Sequence, residues 1–187
     1  GLSGSDANDA AVKFARAYTG RTQIITFLKG YYGATYGAMS LTAVSAKVKA
    51  KIGPFLPGIH SFPYSDCRKC PYKYDAHGCG AHCLSPLEEA FVTHIPPDEV
   101  AAVIVEPILG DGGLLPANPE FLTRLYGICK KYGILFIAEE VQQGLGRTGK
   151  WFSIEHYGLI PDGIVLGKSC GGSLALSAFM GRAEIMD

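Results

Sequence analysis

The chain has 187 residues, of which 48% are hydrophobic, and it carries 17 basic and 17 acidic residues. This length and apolar content predict one globular domain and exclude a disordered protein. The balanced charge provides no field to attract nucleic acid or a membrane surface, so small-molecule partners are expected. No apolar run approaches the roughly 18 residues of a membrane-spanning helix, and the first residues resemble no secretory signal, which favours the cytoplasm.

A loop of glycine and serine begins the chain and leads into a predicted helix that ends at Gly20. Ser5 or Asp6 is predicted as the N-cap, and an apolar stripe follows at helical spacing: Ala10, Ala11, Phe14, Ala15 and Tyr18. Backbone amides and the helix dipole converge at such an N-terminus, where they can bind an anion. An ordinary capped helix explains the same residues.

A strand is predicted at residues 22–28, and the loop after it contains Tyr31. An aromatic side chain at the exit of a strand can stack on a flat ring, although packing beneath a loop is the common use of such a residue. Residues 47–63 are punctuated by glycine and proline and predict no element.

A cysteine-rich insertion is predicted at about residues 60–84, where the cysteines have the spacing C-x2-C-x8-C-x3-C: Cys67, Cys70, Cys79 and Cys83. Thiolates at such spacings can bind a structural zinc ion, and His77 and His82 lie within the segment. The middle spacing is short for the commoner zinc modules, so reduced cysteines in a surface insertion are the alternative. A metal-stapled, non-catalytic domain for binding or assembly is therefore a second functional class.

The middle of the chain predicts helices and strands in alternation. A helix begins near Ser85, with serine as its cap and Pro86 at its first position. A strand at 100–105 leads to Glu106 and Asp111, which can equally belong to a charged turn. An amphipathic helix then spans 119–132 and ends at a glycine.

The most informative stretch contains two short apolar strands, at 133–138 and 163–167, each followed by polar residues. Strands this apolar predict a mainly parallel sheet between two helix layers, a three-layer α/β/α fold. Ligands of such sheets bind beyond the carboxyl ends of the strands, where Glu139, Gln142 and Lys168 are expected. An acid, an amide and a lysine there suit an aldehyde cofactor held as a Schiff base, with the acid pairing a pyridinium nitrogen.

The glycine-rich segment from Gly144 to Lys150 also fits most of a nucleotide-binding P-loop. Trp151, however, stands where that motif needs serine or threonine for magnesium. The residues that follow predict only a short helix before Gly158, whereas a phosphate-cradling helix is longer. This alternative is therefore disfavoured.

Residues 139–150, followed by Pro161-Asp162 and Gly167-Lys168, resemble the signature of class III aminotransferases, which are pyridoxal-phosphate enzymes of fold type I. The resemblance implies that Lys168 forms the Schiff base, that Glu139 faces the pyridine nitrogen and that Gln142 contacts the phenolic oxygen of the cofactor. Two departures from the family pattern are Glu139, where aspartate is usual, and residues 173–175, where Gly-x-Pro is common.

The resemblance extends to the first loop and the other strand ends. Residues 3–10 resemble the phosphate-binding motif of the family, which implies that Gly4 and Ser5 contact the cofactor phosphate. By the same resemblance Tyr31 stacks on the cofactor ring, Glu106 buttresses the site and Asp111 lies near the substrate. Tyr32 stands where histidine is commoner in the family.

The family implies an enzyme that transfers an amino group between an amino acid and a 2-oxo acid. Residues 4–10 and 14–21 resemble bacterial amino-acid racemases and epimerases of the same family, so racemisation is the alternative. Both reactions begin by removing the α-proton and differ in where the proton returns. The resemblance also implies that this chain is the central part of a pyridoxal-phosphate-binding large domain, truncated at both ends, and that the full-length protein is a homodimer.

Overall fold

The computed structural model describes residues 1–70, 72 and 79–186. Its strands are Gln23–Phe27 (β1), Ile59–Phe62 (β2), Val100–Val105 (β3), Ile108–Leu109 (β4), Leu115–Pro116 (β5), Leu135–Glu139 (β6), Gly163–Leu166 (β7) and Ala178–Gly181 (β8). Within these residues the main sheet has six strands in the order β2-β1-β3-β6-β7-β8. Neighbouring strands of this sheet run parallel except β7 and β8, which are antiparallel, and β4 and β5 form a separate antiparallel pair.

Helices cover both faces of the sheet. They are Gly4–Thr19 (α1), Tyr36–Leu41 (α2), Ser85–Thr93 (α3), Pro119–Tyr132 (α4) and Ala183–Met186 (α5). Residues of α3 and α4 pack in one core and residues of α1, α2 and α5 in the other, so the predicted three-layer α/β/α architecture is confirmed. No helix within the described residues is long and apolar enough to cross a membrane.

The alternation of side chains along the central strands creates these two cores. In β3, Val103 and Val105 face the α4 side, whereas Ile104 faces the α1 side. In β6, Phe136 faces the α4 side and Ile137 the α1 side. Successive residues of a strand point to opposite faces, and a sheet covered on both faces therefore needs apolar residues at every position. This explains the continuous apolar runs in the sequence.

The register of β3 and β6 places their carboxyl ends side by side. Val105 pairs with Ala138, so the residues that come next are Glu106, directly after β3, and Glu139, at the end of β6. Residue pairs that are in register in a parallel sheet share a face. The two acids are therefore delivered together to one edge of the sheet.

The structure corrects several boundaries expected from the sequence. Ser3, and not Ser5 or Asp6, is the N-cap of α1, while Asp6 completes a capping box by accepting from the Ser3 backbone N–H. Leu84 caps α3 without a side-chain hydrogen bond, because a short 3₁₀ helix, His82–Leu84, already leads into it. Neither β2 nor β8 was predicted from the sequence, and these are the two edge strands of the sheet.

Candidate active site

A cavity of about 130 Å³ lies at the carboxyl ends of the parallel strands. All eight residues that were predicted to contact the cofactor or the substrate line it, together with Tyr32, Gly33 and Val141: Gly4, Ser5, Tyr31, Glu106, Asp111, Glu139, Gln142 and Lys168. These residues come from α1, from the last residue of β6 and from the segments that follow β1, β3, β6 and β7. Because the carboxyl ends of parallel strands meet at one edge, residues far apart in sequence converge here.

Lys168 follows β7 after Gly167 and lines both this cavity and an adjacent, more open space of about 610 Å³. Its Nζ donates a hydrogen bond to Gln142 Oε1 over 2.6 Å. The backbone of Lys168 has a φ of 46°, in the left-handed region that residues other than glycine adopt infrequently. Such unusual backbone conformations are often found at functional sites.

Glycines allow the N-terminus of α1 to approach the segment that carries Lys168. A Cβ atom on Gly167 would lie 3.2 Å from Gly4 Cα, and a Cβ atom on Gly4 would lie 2.8 Å from Val141 Cγ1. Neither position leaves room for a larger residue without displacement of a neighbour. The close approach places the unpaired amides at the start of a 16-residue helix beside the cavity.

Glu139 is the last residue of β6 and is 3% exposed. Burial raises the pKa of its carboxyl well above the ordinary value, and the nearby Glu106 carboxyl raises it further. The Asn8 side chain opposes these effects by donating to Glu139 Oε1 over 3.3 Å.

Glu106 supports the two loops that border the cavity. Its carboxylate accepts hydrogen bonds from the Tyr31 backbone N–H and the Gly110 backbone N–H, each over 2.8 Å. Burial nevertheless raises the pKa of Glu106 to about 7. Two buried carboxyl groups therefore share one edge of the cavity, where a cation would stabilise their ionised forms.

The neighbouring acid, Glu140, has a different place in the structure. Its carboxylate accepts from Ser153 Oγ and from the Ile154 backbone N–H, each over 2.8 Å, and so anchors the 3₁₀ helix Ser153–Tyr157. Glu140 does not line the cavity. The structure thus separates two consecutive acids into one that faces the cavity and one that holds a loop.

The 3₁₀ helix Ser153–Tyr157 also bears on the interpretation of Gly144 to Lys150 as a nucleotide-binding P-loop. The element directly after the loop that ends at Lys150 is this 3₁₀ helix and not an α-helix, and Lys150 Nζ donates to Glu155 O over 3.2 Å. A P-loop needs a helix N-terminus beneath its phosphates. The structure therefore gives the nucleotide-binding interpretation no support.

Tyr31 and Tyr32 follow β1 and both line the cavity. Tyr31 is partly exposed, whereas Tyr32 is buried, with its hydroxyl donating to Ile104 O over 3.1 Å and its backbone N–H donating to Thr42 Oγ1 over 2.9 Å. The hydrogen bonds of Tyr32 account for its place under the loop. Of the two tyrosines, Tyr31 alone is partly exposed at the cavity, and its stacking role stays a prediction.

The cysteine segment gives no support to zinc. A small cavity of about 20 Å³ is lined by the four cysteines and His82: Cys67, Cys70, Cys79 and Cys83. None of these four cysteines forms a disulfide. No group of three or more histidine, cysteine, aspartate or glutamate side chains within the described residues has the arrangement of a metal site. His77 lies outside the described residues. The four thiols therefore lie near one another without forming the tetrahedral set of ligands that zinc requires.

Asn8 is the site residue that sequence reasoning missed. It lies one turn after Gly4 in α1 and is 0% exposed. A buried asparagine on an otherwise apolar helix face was the available signal, since such a side chain requires polar partners. Those partners, Glu139 and Tyr32, are 131 and 24 residues away in sequence, and only the fold reveals them.

Comparison with known proteins identifies relatives along the whole chain. The family described as Aminotransferase class-III matches residues 2–187. The chain is 48% identical to a leucine/methionine racemase from Thermococcus litoralis and 43% identical to an isoleucine 2-epimerase from Lentilactobacillus buchneri, in each case over 100% of this chain and 42% of the relative. An acetylornithine aminotransferase from Listeria monocytogenes is 40% identical over 98% of this chain and 42% of that protein.

Solved structures give the same relationship. The fold superposes with a TM-score of 0.93 on an amine transaminase from an uncultivated Pseudomonas species in its PLP-bound form, at 31% identity, over 100% of this chain and 44% of that one. The chain therefore spans less than half the length of the relatives that it matches.

Proposed function

This chain belongs to the class III aminotransferase family, and we propose that the protein it represents is a pyridoxal-phosphate-dependent aminotransferase. The proposed reaction moves an amino group between an amino acid and a 2-oxo acid. The observation that supports it most directly is the convergence of the eight predicted residues on one cavity. We further propose that residues 1–187 are part of a cofactor-binding large domain, that residues of about 60–84 are an insertion, and that the full-length protein is a homodimer.

The chemistry of the cavity walls fits pyridoxal phosphate. The cofactor has an aldehyde, a basic ring nitrogen, a flat ring and a phosphate, and the walls offer a counterpart for each. Lys168 supplies an amine, Glu139 a buried carboxyl and Tyr31 a partly exposed aromatic side chain. Gly4 and Ser5, at the N-terminus of α1, supply backbone amides for the phosphate.

Each residue then has a separate task. Lys168 would hold the cofactor aldehyde and, when released, move the proton at the amino-acid α-carbon, since an amine can act as a base there. Gln142 would orient the Lys168 amine, to which it is hydrogen-bonded. Glu139 would keep a proton on the ring nitrogen, and Glu106 would hold Tyr31 in place. When bound, the cofactor supplies the electron-withdrawing ring that makes the α-carbon acidic.

Racemisation or epimerisation of an amino acid is the second candidate. The identity of 48% and 43% to a racemase and an epimerase exceeds the 40% identity to the acetylornithine aminotransferase. The cavity residues serve both reactions equally, because each requires proton removal from the α-carbon. A non-catalytic, zinc-stapled domain is not favoured, since the described cysteines provide no metal site.

The test incubates the full-length protein and pyridoxal phosphate with single L-amino acids, in the presence and absence of a 2-oxo acid. Transamination converts the 2-oxo acid into a new amino acid, which chromatography detects. Racemisation instead yields the D-enantiomer without any 2-oxo acid, which chiral chromatography detects. Absence of both products across aliphatic, acidic and diamino substrates, from protein that has taken up the cofactor, would reject both candidates.

A further inference from the structure

Asn8 connects helix α1 to the carboxyl at the end of β6. Its side chain is completely buried, and its Nδ2 lies 2.8 Å from Tyr32 O, 3.2 Å from Gly4 O and 3.3 Å from Glu139 Oε1. An amide nitrogen carries two hydrogens, so three acceptors compete for them. The contact with Glu139 is the one that links α1 to an ionisable group.

This contact matters because Glu139 is longer than the aspartate usual in the family. The extra methylene adds a rotatable bond, and a carboxyl with more rotamers needs more contacts to hold one orientation. Asn8 binds Oε1, and the Glu139 side chain also lines the cavity. A hydrogen bond to one oxygen restricts the rotation that would otherwise move both oxygens.

We propose that Asn8 is a positioning residue that holds the ionised carboxyl of Glu139 towards the ring nitrogen of the cofactor, and so sets how fully that nitrogen is protonated. The proposal rests on the proposed function, because it requires pyridoxal phosphate in this cavity. Asn8 acts through Glu139 and contacts no reacting atom.

The electrostatic surroundings of Glu139 explain why a neutral donor has this influence. Glu106 faces it from the end of β3, Tyr32 from the loop after β1 and Lys168 from the segment after β7, while α1 contributes Asn8. Burial and Glu106 favour the protonated carboxyl, whereas Asn8 and Lys168 favour the ionised one. Loss of the Asn8 donor therefore shifts the balance towards a neutral carboxyl, which no longer favours a protonated ring nitrogen.

The experiment loads the full-length protein with pyridoxal phosphate labelled with nitrogen-15 in the ring. The nitrogen-15 chemical shift reports the protonated fraction of the ring nitrogen as a function of pH. Four proteins are compared: wild type, Asn8→Ala, Glu139→Gln and the double variant. Asn8→Ala should lower the protonated fraction and weaken cofactor binding about tenfold, the size expected for a hydrogen bond to a charged group.

The double variant separates positioning from simple structural support. If Asn8 acts through Glu139, adding Asn8→Ala to Glu139→Gln should leave the nitrogen-15 shift unchanged. An equal effect of Asn8→Ala in both backgrounds would mean that Asn8 acts through Tyr32 O or Gly4 O, and would overturn the proposal. Asn8→Leu, which keeps the branched shape and the number of heavy atoms of the side chain, replaces Asn8→Ala if that variant does not fold.

Val12→Ala provides a matched control, because Val12 is buried on the same helix one turn further on. It should lower the melting temperature without moving the nitrogen-15 shift. A shift that moves equally in Val12→Ala would attribute the effect to helix packing and reject the proposal. Wild-type protein that binds no cofactor would reject both this inference and the proposed function, whereas a normal shift in Asn8→Ala would reject this inference alone.

Discussion

Two groups of reactive side chains, the strand-end cavity and the cysteine segment, are assembled in different ways. The cavity collects residues from α1 and from the ends of four strands, and hydrogen bonds fix several of them in place. The cysteines come from one segment, residues 67–84, whose described residues include the short 3₁₀ helices Cys67–Lys69 and His82–Leu84. The difference indicates that sheet register can hold reactive side chains from distant parts of the chain in fixed relative positions, as a functional site requires.

The largest effect is expected from replacing Lys168, the lysine of the cavity. Lys168→Ala should abolish covalent cofactor retention and lower turnover by a factor of about 10³ or more, because both the attachment point and the proton-transfer group are lost. Borohydride reduction of the loaded full-length protein followed by peptide mapping measures the attachment. Lys150→Ala is the matched control, since Lys150 is exposed and bonds to Glu155 O. A pyridoxyl label on Lys150 or Lys29 would overturn the assignment.

The second effect concerns the acid of the cavity. Glu139→Gln should keep the cofactor attached but slow exchange of the substrate α-proton by a factor on the order of 10² or more, because a neutral amide does not stabilise a protonated ring nitrogen. Glu139→Asp should be far milder, because it keeps the charge. Deuterium exchange at the substrate α-carbon measures both variants. Near-normal exchange in Glu139→Gln would show that another group serves the ring nitrogen.

A smaller effect is expected in the pH dependence of stability of the cofactor-free protein. The pKa of Glu106 rises from 4.5 to about 7 on folding, so the folded protein binds more protons than the unfolded chain between these pH values. The free energy of unfolding should therefore fall as pH rises from about 4.5 to 7, by on the order of 1 to 3 kcal/mol. Urea denaturation of the full-length protein across this range measures it.

Glu106→Gln should reduce this slope, because an amide does not titrate, and the raised pKa of Glu139 accounts for a remaining slope of the same sign. Its absolute stability is also expected to fall, since an amide has one acceptor oxygen and cannot accept from both the Tyr31 and the Gly110 N–H groups. The slope is therefore the informative quantity. An unchanged slope in Glu106→Gln would assign the pH dependence to other groups.

The smallest effect is expected in the cysteine segment. Burial raises the pKa of the Cys83 thiol to about 12, and iodoacetamide should therefore modify Cys83 more slowly than a free cysteine at pH 8.

Replacement of Cys67, Cys70, Cys79 and Cys83 by serine should leave cofactor content unchanged. Peptide mapping and absorbance measure the two results. Loss of cofactor would link the two regions, and stoichiometric zinc in the wild type but not in the serine variant would restore the metal interpretation.

The sequence by itself determined the layered fold and most of the cavity. Apolar strands alternating with amphipathic helices specify a sheet buried on both faces, because each strand must be covered on two sides. Helix α4 could be placed from Pro119 to Tyr132, since proline favours its first turn and Gly133 adopts the left-handed conformation that ends it. The residues of the motif that ends at Lys168 are close together in sequence, so the motif could be recognised from their spacing.

The tertiary structure alone decided which partners the polar residues have. Glu139 and Glu140 are adjacent in sequence, yet only the sheet edge and the 3₁₀ helix determine that one lines the cavity and the other anchors a loop. The same holds for Asn8, whose contact with Glu139 spans 131 residues. Edge strands such as β2 could not be predicted either, because pairing with the neighbouring strand stabilises them where their own composition does not favour a strand. Hydrogen bonds between distant residues depend on register and packing, which local patterns do not encode.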